Sequence, residues 1–240
     1  MERLALLPWQ VGGGDDVEGH AATIPSRVVQ ARPEALPPHQ RTVGQLVAEA
    51  IRFYGDHFWS VIVLGGALVL VDGVSFNRSL GVQTLLLWAC APVLTAAYVR
   101  ASMLVAGRPV PRRVLVSAWL AGLIVFVPFP VLYRLYVLPG IALFGLVGLG
   151  VPAAVHEGLG VGDALRRGWR LGRADPVHAV GGIAALALIY GVTRYMLLIL
   201  LATQGDQAQA VAALLADLVL SPILFVGAAL LYVDQAARVE

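Results

Sequence analysis

The segment 209-QAVAALLADLVLSPILFVGAALLY-232 decides the class of fold. Its one charged residue is Asp217, and most of the other positions hold apolar or small side chains. A helix needs about 20 such residues to cross the hydrocarbon core of a bilayer. Inside that core, a helix satisfies its own backbone amides and carbonyls without water. The segment therefore predicts a transmembrane helix.

Five further segments are long and apolar enough to cross a membrane in the same way. Of the 240 residues, 58% are hydrophobic and only 13% are charged, whereas a soluble chain is about 25% charged. We therefore expect an all-α fold, a polytopic membrane helix bundle with six transmembrane helices. The predicted helices span roughly 58–76, 80–105, 114–133, 137–156, 177–202 and 209–232.

The boundary between the third and fourth predicted helices falls at the short stretch 133-YRLY-136. Two prolines in the preceding 126-FVPFPV-131 leave a second interpretation open. In that interpretation the stretch enters the membrane and returns to the same side, which irregular backbone can do where other helices surround it.

The placement of the arginines predicts the orientation of the bundle. The chain has 17 basic residues, and all of them are arginine. If the N-terminus is cytoplasmic, all the arginines except Arg78, Arg134 and Arg194 fall in cytoplasmic segments. Such a bias is the one that the positive-inside rule describes. We expect a protein of the plasma membrane with both termini in the cytoplasm.

Residues 1–41 are rich in proline, glycine and charge and are predicted to form a disordered cytoplasmic tail. Residues 42–240 are then the transmembrane domain. No cleavable signal peptide is expected, because the apolar stretch at the start is short. The single cysteine, Cys90, rules out an intramolecular disulfide and a cysteine-based metal site.

The stretch 155-VHEGLGVGDALRRGWRLGR-173 predicts an amphipathic helix between the fourth and fifth spans. At about 100° per residue, one side of this helix holds Val161, Ala164, Leu165, Gly168, Trp169 and Gly172. We expect it to lie at the cytoplasmic interface and to bind anionic lipid phosphates. The predicted lipid-binding residues are Arg166, Arg167, Trp169, Arg170 and Arg173. The alternative is that these arginines only follow the positive-inside rule.

A second amphipathic helix, predicted in 43-VGQLVAEAIRFYGDHF-58, precedes the first span. Shifted by 118 residues, Val43-Gly44 matches Val161-Gly162, and Ile51-Arg52 matches Trp169-Arg170. We interpret this as a parallel internal repeat, in which a cytoplasmic interfacial helix is followed by two crossings. The alternative is two unrelated amphipathic linkers.

The same region carries a short motif that resembles a known signature. Its residues are Pro152, His156-Glu157-Gly158, Gly160, Asp163-Ala164-Leu165 and Arg167-Gly168-Trp169-Arg170-Leu171. They resemble a loose group of six-helix bacterial membrane proteins, including the membrane domain attached to some glycerophosphodiester phosphodiesterases and uncharacterised relatives. The likeness covers about residues 42–235, although Gly168 stands where serine is common.

The resemblance implies a non-catalytic membrane module. In the group, a proline near the end of helix four, here Pro152, is followed by a glutamate and a glycine turn. Glu157 and Gly158 are the matching residues in this chain. The phosphodiesterase barrel that carries catalysis in the fused members has no counterpart here, so we do not expect an enzyme.

Charged residues inside the predicted spans form the most clearly indicated candidate site. Arg194 and Asp217 lie at similar distances from the outer ends of the fifth and sixth spans, and Asp72 lies near the outer end of the first. A charge buried alone in hydrocarbon costs about 2.5–3.5 kcal/mol. We therefore predict an intramembrane ion pair between Arg194 and Asp217, which Asp72 could join. It would either lock the helices together or mark a path for a substrate or proton.

Other chemistry finds little support in the sequence. The glycines at 158, 160 and 162 lack the strand and the Lys-Ser/Thr end of a phosphate loop. His156-Glu157 lacks the second histidine of a zinc-protease helix. We expect no metal, no cofactor and no nucleic-acid partner. We expect Glu157 to act as a cap or to pair with arginines across the turn, for example with Arg112 or Arg113.

Three classes of function remain open at this stage. The favoured one is a non-catalytic multi-pass membrane protein that organises anionic lipid, a membrane partner or copies of itself through its arginine-rich interfacial helices. The alternative is a small-solute or ion transporter that uses Arg194 and Asp217. An intramembrane enzyme would need a nucleophile or a metal site, and we recognise neither in the sequence.

Overall fold

The computed structural model describes residues 36–76, 78–128, 130–132 and 137–239. Those residues form helices and connecting turns and contain no strand. The chain is therefore an all-α helix bundle, as the sequence predicts. The predicted disorder of residues 1–35 and the boundary stretch 133–136 lie outside the described ranges.

Ten α-helices are described, with short 3₁₀ turns at Pro38–Gln40, Val63–Gly65 and Ala202–Gln204. In chain order they are α1 Val43–Asp56, α2 Phe58–Ile62, α3 Gly66–Ser75, α4 Leu80–Ala106, α5 Arg112–Phe126, α6 Val137–Val147, α7 Gly150–Glu157, α8 Val161–Ala174, α9 Pro176–Leu200 and α10 Asp206–Val239.

Within the described part of the chain, six helical runs are long and apolar enough to cross a membrane. They are Phe58–Ser75, Leu80–Ala106, Arg112–Leu132, Val137–Glu157, Pro176–Leu200 and Asp206–Val239. The prediction of six spans is thus confirmed, with ends that differ by a few residues. The first run is built from α2, a 3₁₀ turn and α3, and the fourth from α6 and α7. The chain has the architecture of a multi-pass membrane protein.

Helix α10 lies at the centre of the bundle and packs against α1, α3, α4 and α9. Its stretch from Phe225 to Tyr232 is buried on all sides. A helix that is apolar all round and surrounded by others belongs in the core of a bundle. By contrast, much of the apolar surface of α9 is exposed, including Leu188, Met196 and Leu200. In a membrane, lipid chains cover such surface.

An aromatic cluster joins four of the helices. Tyr98 of α4 is fully buried, and its ring centroid lies 5.3 Å from that of Phe144 and 6.4 Å from that of Phe225. Phe126 packs edge-on to Tyr98 at 6.3 Å. Aromatic pairs at such distances stabilise a core by about 0.5–1.5 kcal/mol each beyond their buried area. The cluster fixes α4, α5, α6 and α10 relative to one another.

The two amphipathic helices have the same length but different packing partners. Helices α1 and α8 each contain 14 residues and begin at Val43 and Val161, the offset noted in the sequence. Helix α1 packs against α9 and α10, whereas α8 packs chiefly against α6 and α7 and, to a smaller and equal extent, against α5 and α10. The two helices therefore occupy different surroundings, and the internal repeat stays a prediction.

Helix α1 begins with a capping box. The Thr42 side chain accepts a hydrogen bond from the Gln45 amide, and the Gln45 side chain accepts one from the Thr42 amide. This pair of bonds satisfies two amides that a helix start would otherwise leave open. The helix then buries Leu46, Ala50 and Tyr54 against the bundle. Capping and burial together fix where the chain enters the fold.

Candidate functional sites

Helix α8 exposes a face that carries three arginines around a tryptophan. Arg166, Trp169, Arg170 and Arg173 are all exposed. The guanidinium carbon of Arg173 lies 5.5 Å from the centre of the Trp169 ring, at cation–π distance. We call these four residues the arginine face. The assignment of Trp169 to the apolar side of the helix was wrong.

The buried side of α8 explains the position of Trp169. This side is formed by Ala164, Gly168, Leu171 and Gly172. A Cβ atom added at Gly168 would lie 2.7 Å from the Gly150 Cα atom and 2.8 Å from the Leu149 carbonyl carbon. The backbone of α8 therefore rests directly on the start of α7. We call this contact between α8 and α7 the seam. Because the seam is lined by small residues, a bulky indole has no room there and points outward.

The same contact accounts for the one departure from the resemblance noted in the sequence. Serine, common at the position of Gly168 in that signature, would place its Cβ against the backbone of Gly150. Contacts that short do not occur between real Cβ atoms and their neighbours, so the helices would have to separate. Glycine at 168 is thus required by the close approach of α8 to α7.

The turn between α7 and α8 is held together by Glu157. Its Oε1 atom accepts hydrogen bonds from Arg167 Nε at 2.7 Å and from the Tyr232 hydroxyl at 2.7 Å. Gly158 ends α7 in the left-handed conformation at φ 71°, which glycine adopts without steric cost. Pro152 is buried within α7. The motif residues therefore build a structural turn that ties α7 to α8 and α10.

This turn corrects two sequence-based expectations. Glu157 does pair with an arginine across the turn, but its partner is Arg167 and not Arg112 or Arg113. Only 19% of the Arg167 side chain is exposed, compared with 75% for Arg166. Arg167 is therefore directed toward the bundle and does not belong to the arginine face.

A polar cluster inside the membrane-spanning region joins α3, α9 and α10. Arg194 donates from Nε to Asp217 Oδ1 at 3.0 Å and from its terminal nitrogen to the Asp72 carboxylate. Tyr190 also donates to Asp217 Oδ1. The structure thus brings together the three charged residues that the sequence singled out. We call Asp72, Tyr190, Arg194 and Asp217 the membrane cluster.

The members of the membrane cluster differ in exposure. The Asp217 side chain is completely buried, while 34% of the Asp72 side chain is exposed. Asp217 lies eleven residues into α10, about 16 Å along the helix at 1.5 Å per residue. Asp72 lies close to the end of α3. The cluster therefore extends from the protein interior toward one end of the bundle.

Tyr190 is a member of the cluster that the sequence did not predict. It precedes Arg194 by one helical turn, so both side chains point the same way along α9. Tyrosine in an apolar helix is usually read as an interface or packing residue. The i, i+4 spacing to a membrane-embedded arginine was the available signal.

A second polar cluster lies where the two ends of the described chain meet. Arg41 donates to Asp234 Oδ1 at 3.0 Å, and Arg238 donates to Asp175 Oδ2 at 3.1 Å. His178 Nε2 lies 3.8 Å from Asp234 Oδ2. We call Arg41, Asp175, His178, Asp234 and Arg238 the terminal cluster. It joins the segment before α1 to the start of α9 and the end of α10.

The folded domain begins earlier in the chain than the sequence predicts. Residues 36–41 belong to the compact unit that begins at Ala35, so the predicted tail boundary at residue 41 falls inside the fold. The Arg41 side chain is mostly buried and also donates to the Leu36 carbonyl at 3.0 Å. No local spacing in the sequence indicates this cluster, because Asp234 pairs with Arg41 and Arg238 pairs with Asp175, each far away along the chain.

The described residues contain no group of three histidine, cysteine, aspartate or glutamate side chains placed to hold a metal ion. Comparison with protein-family models, curated proteins and solved structures finds no match to this chain. The resemblance to the membrane domain of the phosphodiesterase group therefore stays a prediction. What the chain does has to be argued from its own geometry.

Proposed function

We propose that the protein is a non-catalytic multi-pass membrane protein that binds anionic lipid phosphates through the arginine face of α8. The observation that carries the proposal is the exposure of Arg166, Arg170 and Arg173 around Trp169 on one helix. Among the described residues, the one acidic partner of these arginines is Asp163. It lies 3.5 Å from Arg166, and both side chains are exposed. Such a pair is weak in water and leaves the guanidinium able to meet a phosphate.

The fixed position of α8 supports this role. Its glycine-lined seam and the Arg167–Glu157 pair hold the helix against the bundle. The arginines therefore project from a rigid support, which reduces the entropy lost on binding. Guanidinium groups bind phosphate oxygens in a planar, two-point geometry, and tryptophan favours the headgroup region. In this proposal α8 and both termini lie on the cytoplasmic side of the plasma membrane, which the arginine distribution favours.

Lipid binding is tested on the full chain with vesicles that contain phosphatidylglycerol or only phosphatidylcholine. The variant Arg166→Ala/Arg170→Ala/Arg173→Ala removes three charges from the arginine face. Each arginine near an anionic surface contributes about 1 kcal/mol, so retention of phosphatidylglycerol should fall roughly 100-fold. Native mass spectrometry counts the lipids that stay bound and gives the oligomeric state.

A matched control removes the same charge elsewhere. Arg100, Arg112 and Arg113 are exposed and lie on the side of the bundle that carries α8 in the predicted topology. The variant Arg100→Ala/Arg112→Ala/Arg113→Ala should keep most of the bound phosphatidylglycerol. Equal loss in both triple variants would reduce the effect to general positive charge and contradict a site on α8.

A second candidate function is transport of a small solute or ion past the membrane cluster. The observation that favours it is the complete burial of Asp217 within a membrane-crossing helix, since such residues often mark transport paths. Neutralising Arg194 and Asp217 together should abolish flux into proteoliposomes while the protein stays folded. If the pair only locks the helices, the charge-exchanged variant Arg194→Asp/Asp217→Arg should retain whatever activity the protein has.

A further inference from the structure

The membrane cluster contains one more acidic group than its basic group can neutralise. The carboxyl groups of Asp72 and Asp217 both face a single guanidinium, that of Arg194. Tyr190, the fourth member, carries a neutral phenol. If both carboxyl groups were ionised, the cluster would hold a net negative charge between membrane-spanning helices. An uncompensated charge is strongly disfavoured in such surroundings.

One of the two carboxylate oxygens of Asp217 has no hydrogen-bond donor among the described residues. Its Oδ1 atom accepts from both Arg194 and Tyr190. Its Oδ2 atom is fully buried and has no donor among the described residues. A buried carboxylate oxygen without a donor is costly, because it has lost its hydrogen bonds to water.

The carboxyl groups of Asp72 and Asp217 are held together by one guanidinium, because Arg194 binds Asp217 through Nε and Asp72 through a terminal nitrogen. Two ionised carboxylates cannot hydrogen-bond, since each is only an acceptor. A proton on one of them changes this, because a protonated carboxyl group donates. The geometry of the pair therefore fits a single proton held between the two groups.

We propose that Asp72 and Asp217 bind one exchangeable proton between them, which makes the membrane cluster a proton-binding site at the junction of α3, α9 and α10. The proton neutralises the cluster and removes the repulsion between the carboxylates. The partial exposure of Asp72 gives the proton a route to the end of the bundle. A shared proton is a known solution where two carboxyl groups meet one another at short distance.

The surroundings contain few other groups that could take this role. Among the residues that the structure describes, the titratable groups facing the pair are Arg194 and Tyr190, both from α9. Helix α4 packs against α3 and α10, but its one charged residue, Arg100, lies near the opposite end of the helix. The inference does not depend on lipid binding by α8, because the two sites share no residue.

The test is infrared difference spectroscopy of the purified full-length protein at neutral pH, in H₂O and in D₂O. A protonated carboxyl group has a carbonyl stretch that an ionised carboxylate lacks, and this band shifts when the proton is exchanged for deuterium. The expected result is one such band per protein. Both Asp217→Asn and Asp72→Asn should remove that band completely, since the remaining aspartate then pairs with Arg194 in its ionised form.

The matched control is Asp206→Asn. Asp206 is exposed in the first turn of α10, and its replacement should leave the band unchanged. Circular dichroism checks that each variant keeps the helix content of the native protein.

Two results would overturn the proposal. The first is a native protein without a protonated-carboxyl band. The second is a band that survives in both aspartate variants. Because the native protein and Asp72→Asn are measured as well, poor folding of Asp217→Asn alone does not prevent a decision.

Discussion

The membrane cluster and the terminal cluster use the same types of side chain but differ in charge balance. In the terminal cluster, Arg41 and Arg238 match Asp234 and Asp175 one to one. In the membrane cluster, two aspartates share Arg194. The two clusters also differ in place. One joins the ends of the described chain, and the other joins helices within the spans.

This difference shows what each cluster can do. Ion pairs in which each carboxylate has its own arginine are already neutral, and they hold structural elements in one arrangement. A cluster with a surplus carboxyl group needs something further to neutralise it, and a proton is the smallest such ligand. The terminal cluster is therefore a lock between helix ends, while the membrane cluster combines a helix contact with a binding site.

The largest loss of stability is expected when one charge is removed from the terminal cluster. Asp234→Asn leaves Arg41 without its counter-charge, and both side chains are largely buried. Removal of one partner from a buried ion pair costs about 3–5 kcal/mol. The free energy of unfolding, measured by denaturant titration in mixed micelles, should fall by that amount.

Asp163→Asn is the control for this measurement. Asp163 also pairs with an arginine, but both side chains are exposed, and such pairs contribute about 0–1 kcal/mol. If Asp234→Asn lowered the free energy of unfolding as little as Asp163→Asn does, the terminal cluster would not hold the helix ends together.

A smaller loss of stability, but one that tests the shared neutralisation of Arg194 more specifically, is expected from removing both acidic groups of the membrane cluster. In Asp72→Asn/Asp217→Asn, Arg194 has no counter-charge within the spans. The cost of an unpaired charge there is about 2.5–3.5 kcal/mol. Each single variant keeps one ionised aspartate for Arg194, so the double variant should lose much more stability than the two single losses added together.

Additive losses would contradict the shared neutralisation of Arg194. Double-mutant cycles measure such coupling directly, provided that each single change removes one interaction and adds none. Asn is a suitable replacement for this purpose, because it keeps the shape of the aspartate side chain without its charge.

Hydropathy predicted the six spans because apolar runs of membrane-crossing length have few alternatives. It also located Arg194, Asp217 and Asp72, since charges in such runs are rare and must find one another. The same approach missed the terminal cluster. Arg41 and Asp234 lie outside the spans predicted from the sequence, where water can solvate a charge and residue spacing gives no sign of burial.

The faces of α8 could be predicted only in part. Helical periodicity separated Arg166, Arg170 and Arg173 from the buried side. It could not place Trp169, because the seam is formed by glycines that periodicity treats as neutral. Arg167 pairs with Glu157 across a turn whose direction depends on the left-handed Gly158. Such pairs depend on backbone geometry that residue spacing does not specify.

The most direct test of the difference between the clusters is the unfolding free energy of Asp217→Asn beside that of Asp234→Asn. Both aspartates are completely buried, and both pair with an arginine. If the membrane cluster holds a surplus acidic group, Asp217→Asn should lose only about 1 kcal/mol, the net value of a hydrogen bond. A loss of about 3–5 kcal/mol, equal to that of Asp234→Asn, would show that Arg194 needs Asp217 and that the membrane cluster has no carboxyl group to spare.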